Sequence, residues 1–197
     1  MIGDAGQGRD RLGVVLGLLR ENAPVTIMGA PQDWPRWAVL LPHALAAADQ
    51  FAAFPSDQQD MAADDAAWLL DRAATYLQVA HTRLAEARPL AEHALAITET
   101  AHGPDHPDVA IRLGNLALIL AEVGEPAQGR PLAERALAIT ETAHGPDHPD
   151  VATRLNNLAA ILRDLGEPAQ AQRLAERARA IQRAADHAVS NEDSPRA

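Results

Sequence analysis

Apolar residues recur at helical spacing in the second half of the chain. Starting at Leu155, apolar residues follow three, four and seven positions later, which is typical of one face of an amphipathic helix. After Gly166, small residues recur instead, at Ala171, Ala175 and Ala178. Small residues let two helices approach closely while leucines fill the space between them. The pattern therefore predicts a pair of packed helices, over 149–165 and 168–185.

The same pattern occurs a second time, 42 residues earlier. Residues 88–128 and 130–170 align without a gap at an offset of 42, and 34 of the 41 paired positions are identical. A fixed period of this size is typical of a solenoid, in which each unit buries its apolar face only by stacking on a neighbour. We therefore expect an all-α solenoid of stacked helix pairs, with helices over 107–123 and 126–143 in the earlier repeat.

The rest of the chain divides around this repeat region. A more divergent repeat precedes the two similar ones. Further towards the N-terminus, residues 40–49 resemble the second helix of a repeat. The predicted organisation is a helical N-terminal segment with a degenerate half repeat, three repeats and a flexible polar tail: 1–63, 64–185 (about 64–101, 107–143 and 149–185) and 186–197. Within the N-terminal segment, one helix is expected over about 9–21.

Both similar repeats carry the same helix start and stop signals. Pro149 suits the first turn of a helix, where a missing N–H costs nothing. Either Asp147 or His148, just before it, can cap that helix. Gly166 is expected to end it, because glycine readily adopts the left-handed conformation of a helix C-cap.

Composition narrows the function classes. Cysteine is absent, which excludes disulfides and thiolate metal sites. Lysine is absent too, and all 17 basic residues are arginine, so a P-loop lysine or a Schiff-base lysine is excluded. A net charge of −10 argues against nucleic-acid and anionic-membrane partners. We expect a cytoplasmic protein without a cofactor.

One apolar stretch resembles part of a secretion signal. Residues 12–19 read LGVVLGLL, but Asp4, Asp10 and Glu21 flank them and no small-residue cleavage site follows closely. The stretch is also far shorter than the ~20 apolar residues of a membrane span. We interpret it as an ordinary amphipathic or buried helix.

The sequence HGPDHPD occurs at 102–108 and again at 144–150 and invites a metal interpretation. Two histidines four residues apart on a helix bind zinc well. Here glycine and proline interrupt the helix, so we expect capping and a stiff surface turn rather than a metal site. No arrangement of Ser, His and Asp suggests catalysis, and a metal-dependent or hydrolytic enzyme has little support.

Tryptophans cluster before the repeats, in the segment Trp34-Pro35-Arg36-Trp37. The prediction is that they pack a helix start against the N-terminal segment. The alternative is an exposed recognition patch, since tryptophan is enriched at binding hot spots.

The repeats resemble a known family. Their order of large and small residues matches tetratricopeptide units, and GPDHPDVATRLNNLAAIL (145–162) resembles the 42-residue repeats of kinesin light chains. This resemblance implies a right-handed superhelix that binds proteins. Residues 34–49 resemble the region preceding such repeats in bacterial signal-transduction ATPases of the NB-ARC type. That similarity implies a sensor module, but the chain has no G-x-x-x-x-G-K-[ST] phosphate-binding loop.

In tetratricopeptide arrays the first helix of each repeat lines the concave, ligand-binding face. By this resemblance Asn115 and Asn157 match asparagines that bind a peptide backbone, since a carboxamide both donates and accepts hydrogen bonds. Arg72 occupies that place in the first repeat, and Arg72 or Arg163 could bind a ligand carboxylate. Alternatively, the asparagines cap or bridge neighbouring helices. The candidate groove residues are Asn115, Asn157, Asn156, Arg72, Asp71, Thr75, Gln78, Leu118 and Arg163.

These observations leave three functional hypotheses. The first is a non-catalytic scaffold that binds a protein or peptide partner. The second is a sensor module of a signal-transduction ATPase whose nucleotide-binding part is absent from this chain. The third is an enzyme, which the sequence favours least. Self-association into a homo-oligomer also stays open, because the repeats are nearly identical.

Overall fold

The computed structural model describes residues 3–27, 30–52, 62–80 and 83–192, and helices dominate them. These residues contain no strand, and the predicted all-α fold is confirmed. A short 3-10 helix, Pro31–Asp33, precedes the second α-helix. The α-helices are α1 (Gly3–Asn22), α2 (Trp34–Ala52), α3 (Ala63–Val79), α4 (Leu84–His102), α5 (Pro107–Glu122), α6 (Pro126–His144), α7 (Pro149–Asp164) and α8 (Pro168–Glu192).

The chain forms two compact units, Met1–Pro104 and Asp105–Ala197. In the first unit, α3 packs against α4, and both α1 and α2 pack on α3. In the second unit, α5 pairs with α6 and α7 with α8, while α7 also contacts α5 and α6. The second unit therefore contains the residues of the second and third predicted repeats, as two stacked helix pairs.

Trp37 anchors the N-terminal part of the first unit. Its side chain is fully buried, its indole Nε1 donates a hydrogen bond to the carbonyl of Pro24 at 3.1 Å, and its ring stacks on Tyr76 of α3 with centroids 6.2 Å apart. Trp34 Nε1 donates to the carbonyl of Ile27 at 3.3 Å. The predicted packing role is confirmed, and the exposed-patch alternative is wrong for Trp37.

In the second unit the leucines and alanines of the repeat pattern form the core. Leu155, Leu158 and Leu162 of α7 are buried, as are their counterparts on α5. α5 and α6 approach each other closely at Gly129, where a methyl group would lie 2.6 Å from the carbonyl oxygen of Ala117. The small positions therefore act as predicted, by letting paired helices approach.

The repeat helices begin and end where the local signals predict. Gly166 follows α7 with a φ of +78°, and Glu167 N donates to the carbonyl of Leu162 at 2.8 Å, which satisfies an end carbonyl. At the other end of α7, His148 Nδ1 accepts a hydrogen bond from the backbone N–H of Asp150 at 3.2 Å. Of the two capping alternatives, the structure therefore selects histidine, and the earlier repeat caps α5 in the same way.

Two helices extend further than their sequence predicts. α1 begins at Gly3 rather than near residue 9, although three early glycines lower its helix propensity. α8 continues to Glu192, past the predicted start of the tail at Asp186. Residues 182–192 contain no glycine or proline, and Gln182 donates to Asp186 at 3.2 Å within the helix. The remaining predicted tail, 193–197, lies outside the described residues.

Candidate functional site

The first helices of the two similar repeats, α5 and α7, lie side by side and carry the predicted asparagines. Asn115 on α5 and Asn157 on α7 are both half-buried. A methyl group at Gly114 would lie 3.3 Å from Asn157 Nδ2, so the Asn157 carboxamide reaches across to α5 beside Asn115. Leu118, one turn after Asn115, is also half-buried. The structure thus brings Asn157 next to Gly114, the residue before Asn115, and this contact also fits the helix-bridging alternative.

The Arg154 guanidinium lies against α5 beside Gly114. A methyl group there would lie 2.7 Å from Arg154 Nη1, but this atom ends a flexible side chain that can shift aside. Arg154 is 9% exposed, and its counterpart Arg112 on α5 is 8% exposed. Sequence reasoning missed these two arginines. The available signal was an arginine directly before the core leucine of each similar repeat.

Two further predicted residues, Asn156 and Arg163, are exposed on α7. They lie seven residues apart, which places them on the same side of the helix. Arg163 is therefore available to an acidic group of a ligand that approaches this side of α7.

The predicted site residues of the first unit are arranged differently. Asp71 is 1% exposed, and Thr75 and Gln78 are buried as well. Thr75 donates its hydroxyl hydrogen to the carbonyl of Asp71 at 2.8 Å, and Arg72 Nη2 donates to the Asp71 carboxylate at 2.9 Å. These side chains present little surface in this arrangement, and a ligand carboxylate would compete with Asp71 for Arg72. Their predicted peptide contact stays a prediction.

Arg130 links α6 to the turn before α8 by an exposed pair of ionic contacts. Its Nε lies 2.8 Å from a carboxylate oxygen of Glu134, and its Nη1 lies 3.0 Å from one of Glu167. The hydrogen bond to Glu134, with the charge of Glu167, raises the pKa of Arg130 above its ordinary value. Arginine is already charged at neutral pH, so this contact introduces no pH dependence there.

The histidine loops form turns in which one ring nitrogen is engaged. The rings of His144 and His148 stack with centroids 4.7 Å apart. His148 Nδ1 accepts the capping hydrogen bond from Asp150, which occupies a lone pair that a metal ion would need. Across the described part of the chain, no group of three or more His, Asp or Glu side chains is arranged to hold a metal.

None of the helices within the described ranges combines the length and apolar character that crossing a bilayer requires.

Solved structures of kinesin light chain-like repeat proteins share this fold. The crystal structure of BtubC (BKLC) from P. vanneervenii matches with a TM-score of 0.56 and 19% identity, covering 98% of this chain and 87% of that chain. The crystal structure of a Podosopora anserina putative kinesin light chain with nearly identical TPR-like repeats matches with a TM-score of 0.53 and 19% identity, covering 90% of this chain and 88% of that one. A form of the same Podosopora anserina protein with one substitution matches with a TM-score of 0.56 and 18% identity, covering 93% of this chain and 90% of that one. At these identities the similarity concerns the fold alone.

Sequence comparison identifies the repeat type. No curated protein matches the chain. The resemblance of residues 34–49 to signal-transduction ATPases receives no support from these comparisons and stays a prediction. A family model described as Tetratricopeptide repeat matches residues 64–128 and 113–184, which together span more than half of the sequence. The chain therefore belongs to the tetratricopeptide repeat family.

Proposed function

We propose that this chain is a scaffold that binds a peptide segment of a partner protein on the face formed by α5 and α7. Tetratricopeptide repeats generally mediate protein–protein interaction and are generally non-catalytic. The observation that carries the proposal is the contact of Asn157 with α5 at Gly114, beside Asn115. Asn115 and Asn157 are both half-buried, on two helices that lie side by side.

The spacing of these helices suits an extended ligand. Axes of packed helices lie about 8–10 Å apart, and an extended chain rises about 3.3 Å per residue. Asn115 and Asn157 therefore reach backbone groups about three residues apart along one peptide. A carboxamide can donate to a carbonyl and accept from an N–H, so this recognition depends little on ligand sequence.

Neighbouring side chains supply the selective contacts. Leu118 offers an apolar surface one turn from Asn115, and Arg163 offers an exposed guanidinium on α7. Packed helices hold these groups in place before the ligand arrives, which lowers the entropy cost of binding. The expected ligand is an extended segment with an apolar side chain and an acidic one.

The test compares the wild type with the double variant Asn115→Ala/Asn157→Ala. Peptides selected on the wild type from a displayed random library serve as probes, and fluorescence anisotropy measures their affinities. Each hydrogen bond contributes about 1 kcal/mol net, so losing two weakens binding about thirtyfold. Gln128→Ala is the matched control, because it removes an exposed carboxamide from α6 instead.

The proposal fails if the wild type selects no peptide, or if the double variant binds the selected peptides as tightly as the wild type does. If the asparagines only bridge helices, the double variant melts at a lower temperature and peptide affinity does not change. Circular dichroism melting of each variant therefore accompanies the binding measurement.

A further inference from the structure

The exposed large apolar side chains are confined to one part of the molecule. Among the side chains that the structure describes, the exposed large apolar ones all lie between residues 14 and 39. They are Val14, Val15, Leu18, Val25 and Val39. Contiguous exposed apolar surface usually marks an interaction site, whereas scattered single residues are normal.

Helix α1 is the main source of this surface. Leu12 and Leu16 face inward and are buried, while Val15 is 45% and Leu18 is 54% exposed on the other side. Residues 12–19 of α1 carry no polar side chain, and a helical stretch that is apolar on all sides is expected to be covered on all sides. In the described part of the chain, the helices that pack on α1 are α2 and α3. The outer side of α1 therefore has the composition of a contact surface.

Two adjoining cavities form a groove between α1 and α2. One has a volume of about 580 Å³ and the other about 550 Å³, and Val15 and Leu19 line both. Arg11 lines the first cavity and Arg36 the second. We call this surface the α1–α2 groove. Along α1 it spans residues 11–22, which is about three helical turns or about 17 Å.

The α1–α2 groove is basic although the protein is acidic. The chain carries a net charge of −10, but the described lining residues include Arg11, Arg36 and His43 and no carboxylate. Basic side chains at the margin of an apolar groove favour an occupant with acidic groups at matching positions.

This charge distribution selects one occupant. A second copy that docks groove against groove about a twofold axis would bring no lining carboxylate to Arg11 or Arg36, because the described lining residues include none. An anionic bilayer would attract the groove but repel a chain with a net charge of −10. A helix from another protein has neither disadvantage, because it can carry acidic residues at the positions that contact Arg11 and Arg36.

We infer that the α1–α2 groove docks an amphipathic helix of a partner protein, whose apolar stripe is flanked by acidic residues at both ends. A helix of about three turns presents apolar side chains at i, i+3 or i+4, and i+7, which matches the length of the groove. This site is additional to the face of α5 and α7, and it does not depend on the function proposed there.

The test uses two stapled, fluorescein-labelled helical peptides with the same leucine stripe. One carries glutamates at both ends and the other carries lysines, and anisotropy measures their binding to the full chain. We expect the glutamate peptide to bind at least tenfold more tightly. Val39→Glu should weaken its binding at least tenfold, whereas Val25→Glu, an exposed valine outside the groove, should not.

A charge exchange makes the test specific. In the double variant Arg11→Glu/Arg36→Glu the preference should invert, so that the lysine peptide binds more tightly. Asn115→Ala/Asn157→Ala should leave glutamate-peptide affinity unchanged, which separates this site from the proposed function. The variants of the groove and of the control position are expected to fold, because the four substituted side chains are all exposed: Arg11, Val25, Arg36 and Val39.

Several results would overturn the inference. The glutamate peptide could fail to bind, or both peptides could bind equally tightly. Val39→Glu and Val25→Glu could also lower the affinity for the glutamate peptide to the same extent. A wild-type dimer in sedimentation that Val39→Glu dissociates would identify a second copy as the occupant. Binding to anionic phospholipid vesicles that Val39→Glu abolishes would identify a membrane surface instead.

Discussion

The close packing of α5 on α6 makes a glycine substitution informative. Gly129 lies in α6 and is buried, and a methyl group there would lie 2.6 Å from the Ala117 carbonyl oxygen. The equivalent positions in the other repeats are Ala87 and Ala171. Both other repeats have alanine at this position, so the repeat pattern alone predicts that Gly129→Ala stabilises the helix. The helix spacing at this position predicts the opposite.

The magnitude follows from two opposing contributions. Replacing glycine by alanine inside a helix stabilises a protein by about 0.5–1 kcal/mol. Forcing an additional methyl group into a well-packed contact costs about 1–3 kcal/mol. The contacting atom belongs to the backbone of α5, so it cannot rotate away as a side chain can. We expect a net destabilisation of about 1–2 kcal/mol, or a melting temperature lower by a few degrees, since about 2–4 °C corresponds to 1 kcal/mol at this size.

Thermal and urea unfolding followed by circular dichroism measure this change. The matched control is Gly13→Ala in α1, where a methyl group has no heavy atom within 4 Å. The free energy of unfolding of that variant should rise by about 0.5–1 kcal/mol, because only the helix propensity changes. If Gly129→Ala raises the melting temperature as Gly13→Ala does, the argument from close backbone approach is refuted.

Two further predictions concern a helix cap and a buried ring. His148→Ala should lower the free energy of unfolding by about 0.5–2 kcal/mol through loss of the α7 cap, whereas His144→Ala should lower it less, because it removes the ring stacking but not the cap. Equal urea midpoints for the two variants would rule out the capping role. Trp37→Phe should cost about 2 kcal/mol or more, because it leaves a cavity and removes the hydrogen bond to Pro24. Trp34→Phe should cost less because Trp34 is only half-buried, and a reversed order in melting experiments would contradict this.

Much of the fold follows from local signals. The period of 42, the prolines that begin the repeat helices and the glycines that end them predict α5, α6 and α7 to within one residue. Each of these signals acts within one or two turns, so neighbouring elements do not alter it. The start of α1 and the end of α8 were less predictable, because the early glycines of α1 disfavour a helix that nevertheless forms, and no glycine or proline marks an end within residues 182–192 of α8.

The candidate site depended more on tertiary structure. The sequence indicated polar residues on the first helix of each repeat, but it could not distinguish the half-buried Asn115 and Asn157 from the buried Asp71. Burial depends on which helix packs over a position, and that is decided at long range. The same holds for Arg154, which fills the space beside Gly114 from a different helix.

The sequence by itself determined that this protein is an all-α tetratricopeptide repeat chain, with its repeat helices at the observed places. Periodicity, glycine and proline act locally and recur in each repeat, which makes them readable from the sequence. Only the tertiary structure decided that position 129 has no room for a methyl group and that one side of α1 is exposed. Both depend on distances between helices, and those distances follow from how the side chains of separate helices pack together.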